Sequence, residues 1–248
     1  MASITQQSVQ SLFVEMFFNE TRLSSGTGFM AIAPSVPVLI TNRHNVTGRR
    51  QDNDQPMSPT GGVPNKIRIW RNLKGKLGRW NSFDYPLYDE NDHPKWIEHP
   101  TLGATADFVA VKLDERFDIE IYPYDTTEPK MALSIKPAEI VSVIGFPFGQ
   151  SAGGLFPIWV SGFIASEIEI DYDNKPQFLI DCRTRPGQSG SPVVAVRYGV
   201  AQLRDGDTTV GSDHAEFLGI YSGRINENSD IGIVWKRQAV DQLIRSIF

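Results

Sequence analysis

Residues 185–194 could form a tight turn that holds one serine still, because Gly187 and Gly190 flank Ser189 and an apolar run follows. Glycine allows the strained or left-handed backbone angles that such a turn needs. A serine hydroxyl attacks a carbonyl group only when it has a base and when hydrogen-bond donors face the oxygen that becomes negative. Backbone N–H groups of Gly187, Gln188 and Ser189 are candidates for those donors. A glycine-rich turn that merely joins two strands explains the same pattern without any catalysis.

Two further stretches place a base and a carboxylate beside predicted strands. Residues 38–41 are an apolar strand that runs into His44, and Asp107 opens a strand of alternating apolar residues. His44 could take the proton of Ser189, while Asp107 could fix the imidazole tautomer and stabilise the imidazolium. Each residue alone also has a structural explanation, as a buried hydrogen-bonded histidine and as an aspartate that caps a turn or a strand.

The order histidine, aspartate, serine along the chain, with these flanking residues, resembles the chymotrypsin-like serine peptidases. Subtilisins and α/β-hydrolases carry the same residue types in other orders. Residues 41–44 and 187–192 are similar to the bacterial glutamyl endopeptidases and exfoliative toxins, whereas residues 145–149 are more similar to the HtrA protease domain. The resemblance therefore implies the bacterial or viral branch of the superfamily and leaves the subfamily open.

This resemblance implies an all-β fold of two six-stranded antiparallel Greek-key β-barrels, followed by a C-terminal α-helix. We expect residues 1–125 to form the first barrel with His44 and Asp107, and residues 126–248 to form the second barrel with Ser189 and the closing helix. The implied reaction is hydrolysis of peptide bonds by a serine endopeptidase through an acyl-enzyme intermediate, with neither a metal nor a cofactor.

The family builds its specificity pocket from the segment before the serine and from the strand at residues 221–223. The implied pocket residues are Arg183, Thr184, Tyr221, Ser222 and Gly223. Thr184 matches a threonine of the glutamyl enzymes, but Tyr221 stands near the place of their histidine. Nearby arginines could favour an acidic residue at the cleavage point, or they could be solvated or paired with Asp181 and Asp205.

Hydrophobic patterning indicates the elements that would carry these residues. Alternation predicts a strand at residues 66–71 with a hairpin partner at 77–80 and a loop at 84–94, while residues 8–20 could be a helix or a buried strand. Apolar residues at helical spacing in residues 236–247 predict the closing helix. Further strands are predicted at residues 140–145, 155–170, 177–182, 192–200, 216–223 and 231–235.

Composition limits the possible partners and the compartment. A net charge of −5 argues against nucleic acid or an anionic membrane as the main partner, and the single cysteine, Cys182, excludes an internal disulfide framework. The sequence has no paired-cysteine or His-Glu-x-x-His spacing, which argues against a metal site. It has no visible signal peptide and no apolar run as long as a membrane span. We therefore expect a cytoplasmic protein, or a secreted one if a leader has been removed.

Three functions stay open at this point, and a protein or peptide is the substrate or ligand in each. The first is constitutive proteolysis. The second is a regulated effector peptidase that stays inactive until a regulatory partner or a fused domain orders the loops around Gly187. The third is a peptide-binding module that uses the same fold without cleavage. Gln188 replaces the aspartate by which the animal enzymes respond to zymogen cleavage, so that activation mechanism is not expected.

Overall fold

The structure is a computed structural model, and it describes residues 4–58, 60–211, 213–226 and 228–248. These residues form antiparallel strands with a few short helices. The N-terminal half contains β1 Ser11–Phe18, β2 Thr21–Ile32, β3 Pro37–Thr41, β4 Lys66–Asn72, β5 Trp80–Pro86, β6 Trp96–Glu98 and β7 Val109–Lys112. Its helices are α1 Gln7–Gln10 and α2 Arg43–Thr47.

The C-terminal half contains a second set of strands and the closing helix. The strands are β8 Ile140–Gly145, β9 Ile158–Ile164, β10 Gln177–Asp181, β11 Pro192–Arg197, β12 Val200–Gln202, β13 Thr208–Val210, β14 His214–Arg224 and β15 Ile231–Lys236. A 3₁₀ turn spans Pro147–Gly149, and α3 spans Arg237–Arg245. Six of these strands close into a barrel in the order β10-β15-β14-β11-β8-β9, as predicted for this half, and β12 and β13 form a separate hairpin.

The N-terminal sheet differs in detail from the expected six-stranded barrel. It has seven strands in the order β5-β4-β1-β2-β3-β7-β6, so β5 and β6 lie at its two edges. β6 ends nine residues before Asp107 and pairs with β7, which begins two residues after Asp107. The all-β trypsin-like fold with a C-terminal helix is nevertheless confirmed, because both halves are antiparallel and α3 follows the last barrel strand.

Alternating hydrophobicity explains which strands have one solvated face. In β4, Ile67 and Ile69 are fully buried, whereas Arg68 between them is partly exposed. In β11 both faces are covered: Val194 packs in the core between the two sheets, and Val193 and Ala195 pack inside the closed barrel. The continuous apolar run after Ser189 is therefore a consequence of burial on both faces.

One hydrophobic cluster joins the two halves of the molecule. It contains Phe29, Val38 and Phe108 from the N-terminal half together with Trp235 and Leu243 from the C-terminal half. Burying side chains of this size contributes about 1.5–3 kcal/mol each. The two sheets are therefore held together by one shared hydrophobic core.

Three local predictions need correction or completion. Residues 77–79 belong to a turn, because Gly75 and Gly78 have positive φ angles of 67° and 81°, and the strand partner of β4 begins only at Trp80. Since β5 extends to Pro86, the predicted loop at 84–94 starts three residues too early. Residues 8–20 are mainly a strand, β1, after the single turn of α1. No helix among the described residues is long and apolar enough to span a membrane.

Candidate active site

His44 lies on the short helix α2, which begins two residues after β3 ends. The helix stops after a single turn because Gly48 takes a left-handed conformation with φ 64° and caps the carbonyl of His44. The side chain is 9% exposed. A strand, a sharp turn and one helical turn therefore fix this imidazole at the edge of the cleft.

Asp107 receives hydrogen bonds on both carboxylate oxygens. The His44 ring atom Nδ1 lies 2.7 Å from Oδ2, and the His44 backbone N–H donates to Oδ1 at 3.0 Å. The Ser222 hydroxyl donates to Oδ2 at 2.5 Å. Because an ionised carboxylate can only accept, Nδ1 must carry the ring proton, which leaves Nε2 as the acceptor atom of a neutral imidazole.

The backbone below this carboxylate is also fixed. The Asn42 side-chain amide donates to the Asp107 carbonyl at 2.5 Å, and Asn42 is fully buried. This contact ties the residue that precedes α2 to Asp107, which lies two positions before β7. Asn42 is not among the predicted site residues, although it stands within residues 41–44, which resemble the bacterial peptidases.

Ser189 lies in a turn that needs glycine both before it, at Gly187, and after it, at Gly190. Gly187 has φ 96° and Gly190 has φ 88°. A Cβ atom on Gly187 would lie 2.4 Å from the Phe146 carbonyl oxygen, and one on Gly190 would lie 2.1 Å from the Thr27 carbonyl oxygen. The turn is thus packed against neighbouring backbone, and its serine is held in place.

Residues 186–189 form what we call the oxyanion turn, after the role predicted for its N–H groups. Its Pro186 carbonyl accepts from Phe148 N–H at 2.6 Å, and its Gln188 carbonyl accepts from Ser191 N–H at 2.9 Å. The N–H and the C=O of a trans peptide point in opposite directions, so the N–H groups of Gly187 and Ser189 face away from these partners. Neither N–H has an acceptor within the part of the chain that the structure describes.

The structure gives Gln188 a different place from the one predicted. Its backbone N–H donates to the Arg185 carbonyl at 3.1 Å, and its side-chain Oε1 accepts from Arg185 N–H at 2.8 Å. Gln188 therefore braces the inside of the turn, and its N–H is not available to a ligand. The two predicted donors that remain are Gly187 and Ser189.

His44 and Ser189 line the same open cleft of about 930 Å³, together with Tyr221, Ser222 and Gly223. Both residues also border a smaller cavity of about 190 Å³ on the side of Leu23. No hydrogen bond joins the Ser189 hydroxyl to the His44 ring among the described residues, and such contacts often tighten only when substrate binds.

The predicted pocket residues occupy different depths. The hydroxyl of Thr184, which is fully buried, lies 2.5 Å from the hydroxyl of Tyr221, which is 3% exposed. Burial raises the pKa of Tyr221 to about 12, so its phenol stays neutral at physiological pH. The Ser222 hydroxyl is turned towards Asp107, whereas Gly223 lines the cleft.

The arginines near the pocket pair with a carboxylate that was not predicted. Arg185 lies 3.3 Å from Asp230, and Arg183, whose side chain is 84% exposed, lies 3.9 Å from it. The expected pairing with Asp181 and Asp205 is not what the structure has, since closure of the barrel brings β15 alongside this segment. Arg224 lines the cleft beside Tyr221.

The remaining histidines of the described residues lie outside the cleft lining. His99 is 2% exposed, its Nδ1 accepts from the backbone N–H groups of Thr101 and Leu102, and burial lowers its pKa. His93 lies in a surface turn beside Asp89. No group of three or more potential metal ligands occurs in the described ranges.

The protein has three features of the chymotrypsin-like serine peptidases. These are an imidazole hydrogen-bonded to a carboxylate, a serine in a glycine-flanked turn, and two antiparallel sheets. The family model described as the trypsin-like peptidase domain matches residues 26–201. The chain belongs to this trypsin-like peptidase family. No curated protein sequence gives a significant match.

Two solved protease structures align with this chain at low sequence identity. The serine endoprotease from Yersinia pestis aligns with a TM-score of 0.55 and 15% identity, over 98% of this chain and 68% of that chain. The active form of the Rv3671c protease from M. tuberculosis aligns with a TM-score of 0.49 and 16% identity, over 96% of this chain and 80% of that one.

Proposed function

We propose that the protein is a serine endopeptidase in which Ser189 is the nucleophile, His44 the general base and Asp107 the residue that orients the base. The observation that carries this proposal is the meeting of three distant segments at one cleft, with Nδ1 of His44 2.7 Å from Asp107 and Ser189 on the same cleft wall. A buried carboxylate that accepts from both the ring and the backbone of one histidine supports a general base with a fixed tautomer.

The proposed reaction has two halves. In the first, His44 Nε2 takes the proton of the Ser189 hydroxyl as Oγ attacks the scissile carbonyl, and the Gly187 and Ser189 N–H groups bind the oxygen that becomes negative. His44 then gives this proton to the leaving amine, and an acyl-enzyme remains on Ser189. In the second half, a water molecule loses a proton to His44 and attacks the ester. His44 then returns this proton to Ser189 Oγ as the acid leaves, which restores the free serine and the neutral imidazole. One oxyanion donor contributes about 2.7–4 kcal/mol to stabilising the transition state.

We further propose that the pocket favours an acidic side chain at the cleavage point. The neutral phenol of Tyr221 can donate a hydrogen bond, and the positive charges of Arg185 and Arg224 lie close enough to lower its pKa against the effect of burial. Both arginines also line the cleft. A cleavage profile from a peptide library tests this preference. Cuts after glutamate or aspartate support it, and cuts dominated by lysine, arginine or large apolar residues refute it.

Labelling by a fluorophosphonate probe, read by intact mass, tests the proposed nucleophile. We expect one adduct on the parent protein and none on Ser189→Ala or His44→Ala. Ser191→Ala is the matched control, because this neighbouring serine is fully buried and its hydroxyl has no hydrogen-bond partner among the described residues. It should label like the parent.

The same measurement separates the proposal from its two rivals. A folded parent that stays unlabelled refutes a constitutively assembled site, and labelling that appears only after a partner is added then identifies a regulated effector. A parent that binds peptides without labelling identifies a peptide-binding module. The two unengaged N–H groups of the oxyanion turn support a site that needs no partner.

A further inference from the structure

The oxyanion turn is held by a second turn, Pro147–Gly149, through a single backbone contact. Phe148 N–H donates to the Pro186 carbonyl at 2.6 Å. Because this carbonyl is fixed, the Gly187 N–H points away from it on the other side of the same peptide, and Gly187 lines the smaller cavity beside Ser189 and His44. A rotation of this peptide would turn the N–H away and place a carbonyl oxygen where the substrate oxygen should bind.

The backbone conformation of the second turn is unfavourable for its own residues. Phe148 has φ 55° and ψ 23°, a left-handed conformation that residues other than glycine avoid. Its side chain is 62% exposed, so that side chain does not anchor the turn. The turn is anchored by the residue just before it, Phe146, whose fully buried ring packs against Phe13 with the ring centroids 5.1 Å apart.

Thr27 on β2 connects both turns with one side chain. Its hydroxyl accepts from the Phe146 N–H at 3.1 Å and donates to the Gly187 carbonyl at 2.9 Å. Its backbone N–H also donates to the Ser189 carbonyl at 3.0 Å. The hydroxyl therefore fixes the distance between the two turns, and that distance decides whether Phe148 N–H can reach the Pro186 carbonyl.

We propose that Thr27 is a positioning residue that keeps the Gly187 and Ser189 N–H groups directed towards the space beside Ser189 and His44. This assignment rests on the proposed peptidase function. Thr27 is fully buried, so it does not touch substrate and acts only through the turn. The essential feature is the hydroxyl of Thr27 and not the shape of its side chain.

The test compares Thr27→Val, which keeps the shape without the hydroxyl, with Thr27→Ser, which keeps the hydroxyl. We expect Thr27→Val to lower kcat for a peptide substrate and the rate of fluorophosphonate labelling about 10- to 100-fold, with KM nearly unchanged. This is less than the loss of 10²–10³ in kcat for removing an oxyanion donor itself. Thr27→Ser should restore both rates. Ser11→Ala is the matched control, because its buried hydroxyl donates to the Ile144 carbonyl at 2.9 Å, away from the oxyanion turn.

Each outcome decides the assignment. Parent-like rates in Thr27→Val refute it, and so does a loss that Thr27→Ser does not restore or that Ser11→Ala shows equally. If Thr27→Val does not fold, as judged by thermal unfolding, Thr27→Ala against Thr27→Ser applies the same criterion. A parent that neither labels nor cleaves refutes the proposed function and this assignment with it, whereas a reactive parent with an equally reactive Thr27→Val refutes the assignment alone.

Discussion

Replacing Asp107 by asparagine should abolish most activity by reversing the tautomer of His44. In the parent, Oδ1 accepts one backbone N–H, and Oδ2 accepts the ring Nδ1–H and the Ser222 hydroxyl. An asparagine has only one oxygen for these three donors. If that oxygen replaces Oδ2, the amide NH₂ opposes the His44 backbone N–H, which leaves two buried donors facing each other.

The other orientation of the amide satisfies more groups. With its oxygen on the His44 backbone N–H, its NH₂ can donate to Nδ1 and to the Ser222 oxygen, which gives three hydrogen bonds without opposed donors. Nδ1 then has no proton, and Nε2 carries it. An Nε2 atom that already holds a proton cannot take the proton of Ser189. The comparable change in a known triad lowers kcat about 10⁴-fold, which is about 5.4 kcal/mol at about 1.36 kcal/mol per tenfold.

Steady-state cleavage of a peptide and the rate of fluorophosphonate labelling measure this loss. The ¹⁵N shifts of the His44 ring report the tautomer directly. Asp84→Asn is the control, because Asp84 is a carboxylate paired with Arg68 on the outer face of β4 and β5. A rate for Asp107→Asn within tenfold of the parent, or an unchanged tautomer, would refute the reasoning.

Two further substitutions test the turn and the pH dependence of stability. Gly187→Ala should lower the labelling rate at least about 100-fold, because its Cβ would lie 2.4 Å from the Phe146 oxygen at φ 96°; a normal rate in a folded variant contradicts this. Burial lowers the pKa of His99, so the folded protein favours the neutral ring. The free energy of unfolding should therefore fall as the pH falls below 6.5, the ordinary pKa of histidine. His99→Asn keeps an acceptor for the two backbone N–H groups, and urea unfolding at pH 5 and 8 should show a smaller acid loss than in the parent.

The positions of the three proposed catalytic residues could be predicted because each stands beside a strongly patterned strand. Residues 38–40 are uniformly apolar, and in the structure β3 is buried along its length and leads into the helix that carries His44. Asp107 precedes β7, and Ser189 precedes β11, whose two faces are both covered. Local hydrophobicity reports burial directly, so the sequence carries this information in short windows.

The partners of the polar side chains could not be predicted in the same way. Ser222 binds a carboxylate 115 positions away, and Arg185 pairs with Asp230 only because the barrel closes. Neither contact leaves a local pattern. The start of β5 was misplaced for a different reason: Leu77 is apolar but 57% exposed, and the left-handed conformation of Gly78 extends the turn as far as Trp80.

The core shared by both halves links proteolysis to the order of synthesis. Phe29 and Phe108 emerge early from the ribosome, but their packing partners include Trp235, Leu243 and Ile247. At the usual rate of about 5–20 residues per second, the proposed base and its carboxylate wait several seconds or more for the residues that complete their support. We therefore expect a nascent chain to carry an incomplete cleft until α3 has left the exit tunnel and joined the shared core.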